Sequence, residues 1–361
     1  MNRTIAYCII VYLVFIASVS YGIAGERHTL ILAYADYSHN LYVLEMLSTG
    51  EIITTGQIFP LSNLYISDHT IAVNPDSRFV WCSGTTESGA IGAKQFAISP
   101  YGQLTVTGRF IEGGSTDIKF TPNGQLLLPV GPVYRAYPDG SVESTANFYN
   151  GALYDISPRG DINIHDTPGG PVVDKIDYSG YSVYNIQTLD MSGRSFYDTA
   201  YTPEGDYAII TKSGGVDSPT IYPIRDDGSL DTTTTQKFSI GDTGRGTMSI
   251  DGRYLYFATG TLPNTSISIF RQPTHGVFED TGWRVSLGYI VWQMELSPDG
   301  KYLVLHNQSI LDVFAIQDDG NLVHQFSFPF ATIFGKIPMY FQFAYPPAPT
   351  AIDTLNWELY Q

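Results

Sequence analysis

Two series of short turn motifs alternate along the whole chain, and their spacing limits what it can fold into. The first series reads proline or a small residue, then Asp, Asn or Glu, glycine, a polar residue and an apolar one. The second is a glycine followed within two residues by an apolar side chain. First-series turns lie at 74–79, 121–126, 157–162, 202–207, 249–254 and 297–302, and the second-series glycines are Gly50, Gly102, Gly140, Gly180, Gly228, Gly276 and Gly320. A repeat of about 40–50 residues with two hairpin turns predicts a propeller of four-stranded blades.

The segments between the turns have the composition of strands. Runs such as 254–258 (YLYFA) and 302–305 (YLVL) are short and rich in β-branched and aromatic residues, with Gly, Asp or Asn at their boundaries. Such boundary residues supply the positive φ angles that tight hairpins need. No window of 12 or more residues after the N-terminal segment has a clear 3.6-residue apolar period, so the predicted fold class is all-β.

The two turn series differ in number, and the difference predicts how the ring closes. There are seven second-series turns but only six first-series turns. Residues 340–347 (YFQFAYPP) align with the inner strand and proline of other repeats. Residues 28–59 contain three strands but no first strand. We therefore expect residues 339–345 to complete that blade, which gives seven blades with one shared between the two termini and leaves no open sheet edge.

The N-terminus has the composition of a secretory signal. Arg3 precedes a strongly apolar run at 5–16 and a stretch richer in small residues at 17–24. Cleavage after Gly22 or Ala24 is one reading, and an uncleaved membrane anchor is the other, because 5–24 carry no charge and could span a bilayer. The predicted organisation is a signal peptide or anchor at 1–24, the propeller at 25–346 and a C-terminal tail at 347–361. Either reading places the propeller in a secreted, periplasmic or cell-surface location.

Charge and side-chain chemistry exclude several classes of function. The chain has 35 acidic and 19 basic side chains and a net charge of −16, which argues against a nucleic-acid partner. Its histidines are scattered without metal-ligand spacing, so we expect no metal site and no cofactor. If Cys8 leaves with the signal, Cys82 is the one remaining cysteine, and we interpret it as a small buried hydrophobe.

The mouth of the central channel is the predicted ligand site, because the segments entering all seven innermost strands converge there. The residues five positions before each first-series proline or its equivalent include Asp117, Asp198, Arg245 and Gln293. Their neighbours add His69, Tyr154, Tyr197 and Trp292. These polar and aromatic side chains either bind a small polar ligand or peptide, or pair with one another and with solvent at the channel mouth.

The repeats also resemble a known family. SPDGKYL-type turns followed by IYPIRDDGSL (221–230) or LDVFAIQDDGNL (311–322) resemble the seven-bladed lactonase-like propellers, which include 6-phosphogluconolactonases, muconate-cycloisomerase-type enzymes and many secreted proteins. The similarity covers nearly all of residues 28–346. The enzymes often carry an Arg-His pair at the channel entry, and here the arginine is matched by Arg245.

Two functions follow as expectations. The first is an extracytoplasmic binding module that holds a small polar or anionic ligand, or an extracellular protein or glycan, with membrane contact only through an uncleaved N-terminus. The alternative, implied by the resemblance, is a lactonase-like enzyme acting on a sugar-acid-type lactone. Arg245 would then hold a carboxylate or phosphate, with Asp117 or Asp198 as general base.

Overall fold

Seven four-stranded antiparallel sheets form a ring in the computed structural model, as the turn spacing predicts. The structure describes residues 29–35, 40–61, 71–85, 91–112, 118–149, 155–167, 170–190, 196–212, 217–241, 243–260, 264–307, 309–335 and 338–346. The predicted signal segment and the C-terminal tail lie outside these residues.

The strands follow one another around the ring in chain order. They are β1 (Thr29–Ala35), β2 (Asn40–Met46), β3 (Ile52–Pro60), β4 (Ile71–Val73), β5 (Phe79–Thr85), β6 (Ile91–Ile98), β7 (Leu104–Glu112), β8 (Ile118–Phe120), β9 (Leu126–Pro129), β10 (Gly131–Ala136), β11 (Val142–Tyr149), β12 (Asp155–Ile156), β13 (Ile162–His165), β14 (Val172–Asp177), β15 (Ser182–Thr188), β16 (Phe196–Tyr201), β17 (Tyr207–Lys212), β18 (Thr220–Pro223), β19 (Gln236–Lys237), β20 (Thr243–Met248), β21 (Tyr254–Thr259), β22 (Ser266–Thr274), β23 (Val277–Ser286), β24 (Gln293–Leu296), β25 (Tyr302–His306), β26 (Leu311–Ile316), β27 (Leu322–Phe328) and β28 (Pro338–Ala344).

The last strand closes the ring. β28 pairs antiparallel with β1, with Leu30 opposite Ala344 and Ala33 opposite Phe341, so blade 1 has the order β28-β1-β2-β3. Blades 2 to 7 are the successive groups of four from β4–β7 to β24–β27. β28 also lies between β24 and β4, the innermost strands of blades 7 and 2. The predicted blade shared by the two termini is therefore confirmed.

The hydrophobic core is divided among the contacts between blades. Each of its seven clusters joins side chains of two neighbouring blades, including one that joins blade 7 to blade 1 through Tyr302 and Phe341. Cys82 belongs to the cluster between blades 1 and 2 and is fully buried, and burial raises the pKa of its thiol. It behaves as the predicted small hydrophobe.

Helix is confined to one short element of the described residues. α1 (Phe330–Phe334) follows the last strand of blade 7, and Phe330 buries its ring against Tyr42 of blade 1, with ring centroids 5.4 Å apart. Among the described residues, no helix is long and apolar enough to cross a membrane.

The first-series turns share a left-handed residue. Its φ lies between 68° and 75° in the five turns that have glycine there, from Gly124 to Gly300. In the remaining turn Ser77 takes this position with φ 53°, a conformation that costs a non-glycine residue energy. The Ser77 hydroxyl accepts a hydrogen bond from the Tyr345 backbone N–H at 3.0 Å, and this bond connects the turn to the residue after β28.

Six of the seven second-series glycines, all but Gly180, lie against side chains of the preceding blade. A β-carbon on Gly140 would come within 2.8 Å of the Phe79 ring, and one on Gly50 within 2.7 Å of the Tyr302 ring. Phe79 and Tyr302 are the apolar residues that end first-series motifs. The two motifs are therefore the two halves of one contact between neighbouring blades, repeated around much of the ring.

The outermost strands are interrupted by bulges. Six of the seven shift register against their neighbour, and the seventh, β19, has two residues. In β3, for example, the Thr55 hydroxyl donates to Val43 O at 2.6 Å and Gly56 follows with φ 77°. The next residue, Gln57, then hydrogen-bonds to Gly102 O and Leu104 N of blade 2, so the bulge also ties two blades together.

Candidate functional site

The inner strands surround a central cavity of about 430 Å³. Its volume falls within the range of small-molecule sites, roughly 300–1,000 Å³. Although the strands are short and largely apolar, five acidic or basic side chains from five blades line this one space. They are Lys119, Asp155, Asp198, Arg245 and Glu295.

The structure brings four of the predicted site residues to this cavity. Asp198, Arg245, Trp292 and Gln293 all line it. Asp117, His69 and Tyr154 lie outside the described residues, and Tyr197 belongs to β16 without a described side chain. The predicted roles of these four remain predictions.

Asp198 and Arg245 form a pair between blades 5 and 6. Arg245 Nη1 lies 3.6 Å from Asp198 Oδ1, and the Gly246 N–H donates to Asp198 Oδ2 at 3.0 Å. Arg245 Nε donates to Trp292 O of blade 7 at 2.9 Å. Burial raises the pKa of Asp198, while Arg245 and the Gly246 N–H oppose that rise. Both side chains therefore join neighbouring blades as well as lining the channel.

The Gln293 side-chain amide hydrogen-bonds to the closing strand β28 of blade 1. Its Nε2 donates to Phe341 O at 2.6 Å, and its Oε1 accepts from Phe341 N at 2.9 Å. The side chain thus completes a backbone-like pair of hydrogen bonds between blade 7 and β28. The same Nε2 donates to Glu295 Oε1 at 2.7 Å, which fixes that carboxyl inside the channel.

A second layer of charge lies two residues further along the inner strands. Lys119, Asp155 and Glu295 occupy equivalent positions in blades 3, 4 and 7, three residues before the first-series proline. Lys119 Nζ lies 3.4 Å from Asp155 Oδ1. Sequence reasoning considered the channel entry and missed this layer. The available signal was a charged residue inside very short apolar strands such as IKF and MEL.

The pKa values of the channel carboxyls Glu295 and Asp155 are both raised. Burial raises the pKa of Glu295 to about 8, an increase that Asp155 reinforces and that Lys119 and Gln293 oppose. Burial likewise raises the pKa of Asp155, against the attraction of Lys119. At neutral pH Glu295 is therefore mostly protonated and can donate a hydrogen bond, whereas Asp155 retains a cation as partner.

His306 lies behind the channel wall. Its side chain is buried, and its Nδ1 contacts Asn307 O at 3.0 Å. Burial and the nearby positive charge of Arg245 lower the pKa of His306 to about 3. The His306 side chain is therefore a neutral imidazole. The backbone of the same residue contacts Trp292, whose backbone N–H donates to His306 O at 2.9 Å.

One serine–histidine pair outside the channel lacks the geometry of a nucleophilic triad. His324 Nε2 lies 2.9 Å from Ser327 Oγ and 3.4 Å from Asp312 Oδ1. Both partners meet the same ring nitrogen, and Ser327 itself hydrogen-bonds to Asp312. A triad needs the acid on the other nitrogen, where it orients the base. Across the described ranges, no three His, Cys, Asp or Glu side chains approach closely enough to hold a metal ion.

The ring of seven four-stranded blades around a polar channel defines a seven-bladed β-propeller, and solved propellers named as lactonases share this fold. A presumed 6-phosphogluconolactonase from Bacteroides uniformis superposes with a TM-score of 0.67 at 16% identity, over 88% of this chain and 99% of that one. A periplasmic gluconolactonase from Pseudomonas aeruginosa gives 0.65 at 17% identity, over 89% and 99%.

Other comparisons do not narrow the activity. A functionally unknown protein from Desulfotomaculum acetoxidans gives a TM-score of 0.63 at 16% identity, over 89% of this chain and all of that one. No protein-family profile and no curated protein matches the sequence. At these identities the similarity establishes the fold, and function must be argued from the channel.

Proposed function

We propose that this protein binds a small, hydroxyl-rich molecule in its central channel. The observation that carries the proposal is the convergence of Lys119, Asp155, Asp198, Arg245 and Glu295 on one cavity. Acidic and basic groups that cluster in a cavity among apolar strands are characteristic of ligand-binding and catalytic sites.

The charges favour an uncharged ligand over a multiply charged one. Asp155 faces Lys119 at 3.4 Å and Asp198 faces Arg245 at 3.6 Å, while Glu295 is mostly neutral at pH 7 because burial raises its pKa to about 8. The five groups therefore nearly balance. A sugar, polyol or sugar lactone can exchange hydrogen bonds with both members of each pair without disturbing this balance.

Thermal stabilisation by a panel of hexoses, polyols, aldonic acids and aldonolactones tests the channel site. The double variant Lys119→Met, Asp155→Asn removes the charges at nearly constant volume. The control is Lys237→Met, Asp217→Asn, since that pair has a 3.2 Å separation and lies on the outer part of blade 5. Wild type and control should gain melting temperature with a ligand that the channel variant does not respond to. Equal stabilisation of all three would contradict the proposal.

Hydrolysis of a sugar lactone is the second candidate, and the protonation of Glu295 favours it. Asp155 would take a proton from water as the hydroxyl adds to the lactone carbonyl, and Lys119 would stabilise the oxyanion. As the ring C–O bond breaks, Glu295 would protonate the departing oxygen, and the proton on Asp155 would restore Glu295. The named activity of the Pseudomonas aeruginosa neighbour is consistent with this chemistry.

Proton release from glucono-1,5-lactone and galactono-1,4-lactone, corrected for spontaneous hydrolysis, tests the enzymatic reading. Glu295→Gln should abolish the enzymatic rate while the lactone still stabilises the protein, because the amide keeps the shape but cannot protonate the leaving oxygen. If wild type is no faster than the spontaneous reaction, the protein is a binding module for these compounds and not their hydrolase.

We further propose that the propeller works outside the cytoplasm. The apolar N-terminal segment and the periplasmic location of the Pseudomonas aeruginosa neighbour support this location. A fusion of residues 1–28 to a reporter that is active only after export tests it, with Ile10→Arg, Leu13→Arg as the control. Reporter activity that does not depend on the apolar run would contradict it.

A further inference from the structure

Trp292 stands on the rim of the channel with its backbone held at both sides. Trp292 lines the cavity, and the residue is 41% exposed. The Trp292 N–H donates to His306 O at 2.9 Å, and Trp292 O accepts from Arg245 Nε at 2.9 Å. An exposed aromatic on a fixed backbone loses little conformational entropy when a ligand packs on it.

The segment that leads into β24 extends this rim outward. Val291 is buried, whereas Ile290 and Trp292 on either side of it are 51% and 41% exposed. Both exposed residues are apolar and lie just before β24, which begins at Gln293. Tyr289 anchors the segment through a hydrogen bond from its hydroxyl to Asp312. A short apolar surface therefore begins at the mouth of a polar cavity and continues away from it.

We propose that this surface, Ile290 and Trp292, binds the second and later sugar units of an oligosaccharide whose terminal unit enters the channel. The inference rests on the proposed channel site and specifies its ligand as a chain end. A sugar ring presents an apolar C–H face and a rim of hydroxyls, which matches an indole beside the Asp198–Arg245 pair. A peptide would need a free strand edge or an apolar side-chain pocket, whereas Ile290 and Trp292 are exposed and lie outside the strands.

The test measures binding of glucose, N-acetylglucosamine, cellohexaose, maltohexaose and chitohexaose by titration calorimetry. Wild type should bind at least one hexaose about tenfold more tightly than its monomer. Trp292→Ala should reduce that hexaose to the affinity of the monomer, and Trp292→Phe should retain most of the gain. Trp283→Ala is the matched control, because Trp283 is 37% exposed on β23 and does not line the cavity.

The outcomes separate the rim from the channel. If monomer and hexaose bind alike, if none of the three hexaoses binds at millimolar concentration, or if Trp292→Ala and Trp283→Ala have equal effects, the rim inference is wrong. Monomer binding that Lys119→Met, Asp155→Asn abolishes would still support the channel site in those cases. Conversely, hexaose binding that needs Trp292 but is unaffected by the channel variant would leave a rim site and overturn the channel proposal together with the chain-end assignment.

Discussion

The ring of Tyr302 occupies the space that a side chain on Gly50 would need. A β-carbon on Gly50 would lie 2.7 Å from Tyr302 Cε1, and the Tyr302 hydroxyl donates to Ser48 O at 2.7 Å. Tyr302 belongs to blade 7 and Gly50 to blade 1, so this contact joins the last blade to the blade that the two termini share. Glycine is favoured at position 50 for two reasons: the turn has a positive φ, and the Tyr302 ring fills the space of a side chain.

Gly50→Ala should therefore lower the free energy of unfolding by about 2–4 kcal/mol, because it adds steric overlap to backbone strain. Gly56→Ala is the control: its φ is 77° against 84° for Gly50, but its β-carbon would have no atom within 4 Å. It should cost about 1 kcal/mol through strain alone. Denaturant unfolding of both variants measures the difference, and equal costs would show that the Tyr302 contact contributes nothing.

Deleting residues 338–361 should leave β1 unpaired and cause aggregation or loss of cooperative unfolding. The truncation removes β28 and with it the Phe341 backbone that Gln293 binds. An unpaired strand edge is a template for association with other chains. A chain ending at Pro346 keeps β28 and is the control. Thermal unfolding followed by light scattering compares them, and indistinguishable melting would contradict the closure role.

Arg245→Ala should destabilise the fold by about 1–3 kcal/mol, since it leaves Asp198 without its cation and Trp292 O without its donor. Arg253→Ala is the matched control. Arg253 pairs with Asp251 at 2.5 Å but its side chain is 61% exposed, so its loss should cost under about 1 kcal/mol. If the two variants melt alike, Arg245 is not a structural tie, and its retention for a ligand becomes the better explanation.

Glu295 should make the protein less stable as pH rises. Burial raises its pKa to about 8 in the folded chain, from an ordinary value of 4.5. Between these values the unfolded chain releases a proton that the folded chain retains, so unfolding becomes easier with increasing pH. Glu295→Gln should remove this loss. The gain in unfolding free energy of the variant over wild type should therefore be roughly 1–3 kcal/mol larger at pH 8 than at pH 5. Urea unfolding at both pH values, with exposed Glu51→Gln as control, measures it; parallel pH profiles for wild type and Glu295→Gln would contradict the assignment.

The pattern of turns was sufficient to predict the architecture because its chemistry is local. Glycines such as Gly124 and Gly300 adopt the predicted left-handed conformation, and the surplus second-series turn correctly indicated a strand supplied by the C-terminus. The blade order followed, since successive antiparallel strands joined by short turns pair with their chain neighbours.

The composition of the channel was harder to predict because it depends on how far each inner strand reaches along the axis. Asp198, Arg245 and Gln293 were expected as ligand-facing side chains, and their contacts show that they also join neighbouring blades. The layer containing Lys119 and Glu295 was missed. How many alternate residues of an inner strand reach the cavity depends on the tilt of the blade and on partners from other blades, neither of which local sequence encodes.

The bulges in the outer strands determine how another macromolecule can approach the circumference of the propeller. A straight outer strand would offer its amides and carbonyls to any passing chain, whatever that chain's sequence. With six of these strands kinked and the seventh two residues long, the described rim gives backbone pairing little continuous length. A partner that docks there must therefore contact side chains. Its specificity can evolve by single substitutions, without a sequence-independent strand edge that would let copies of the protein polymerise.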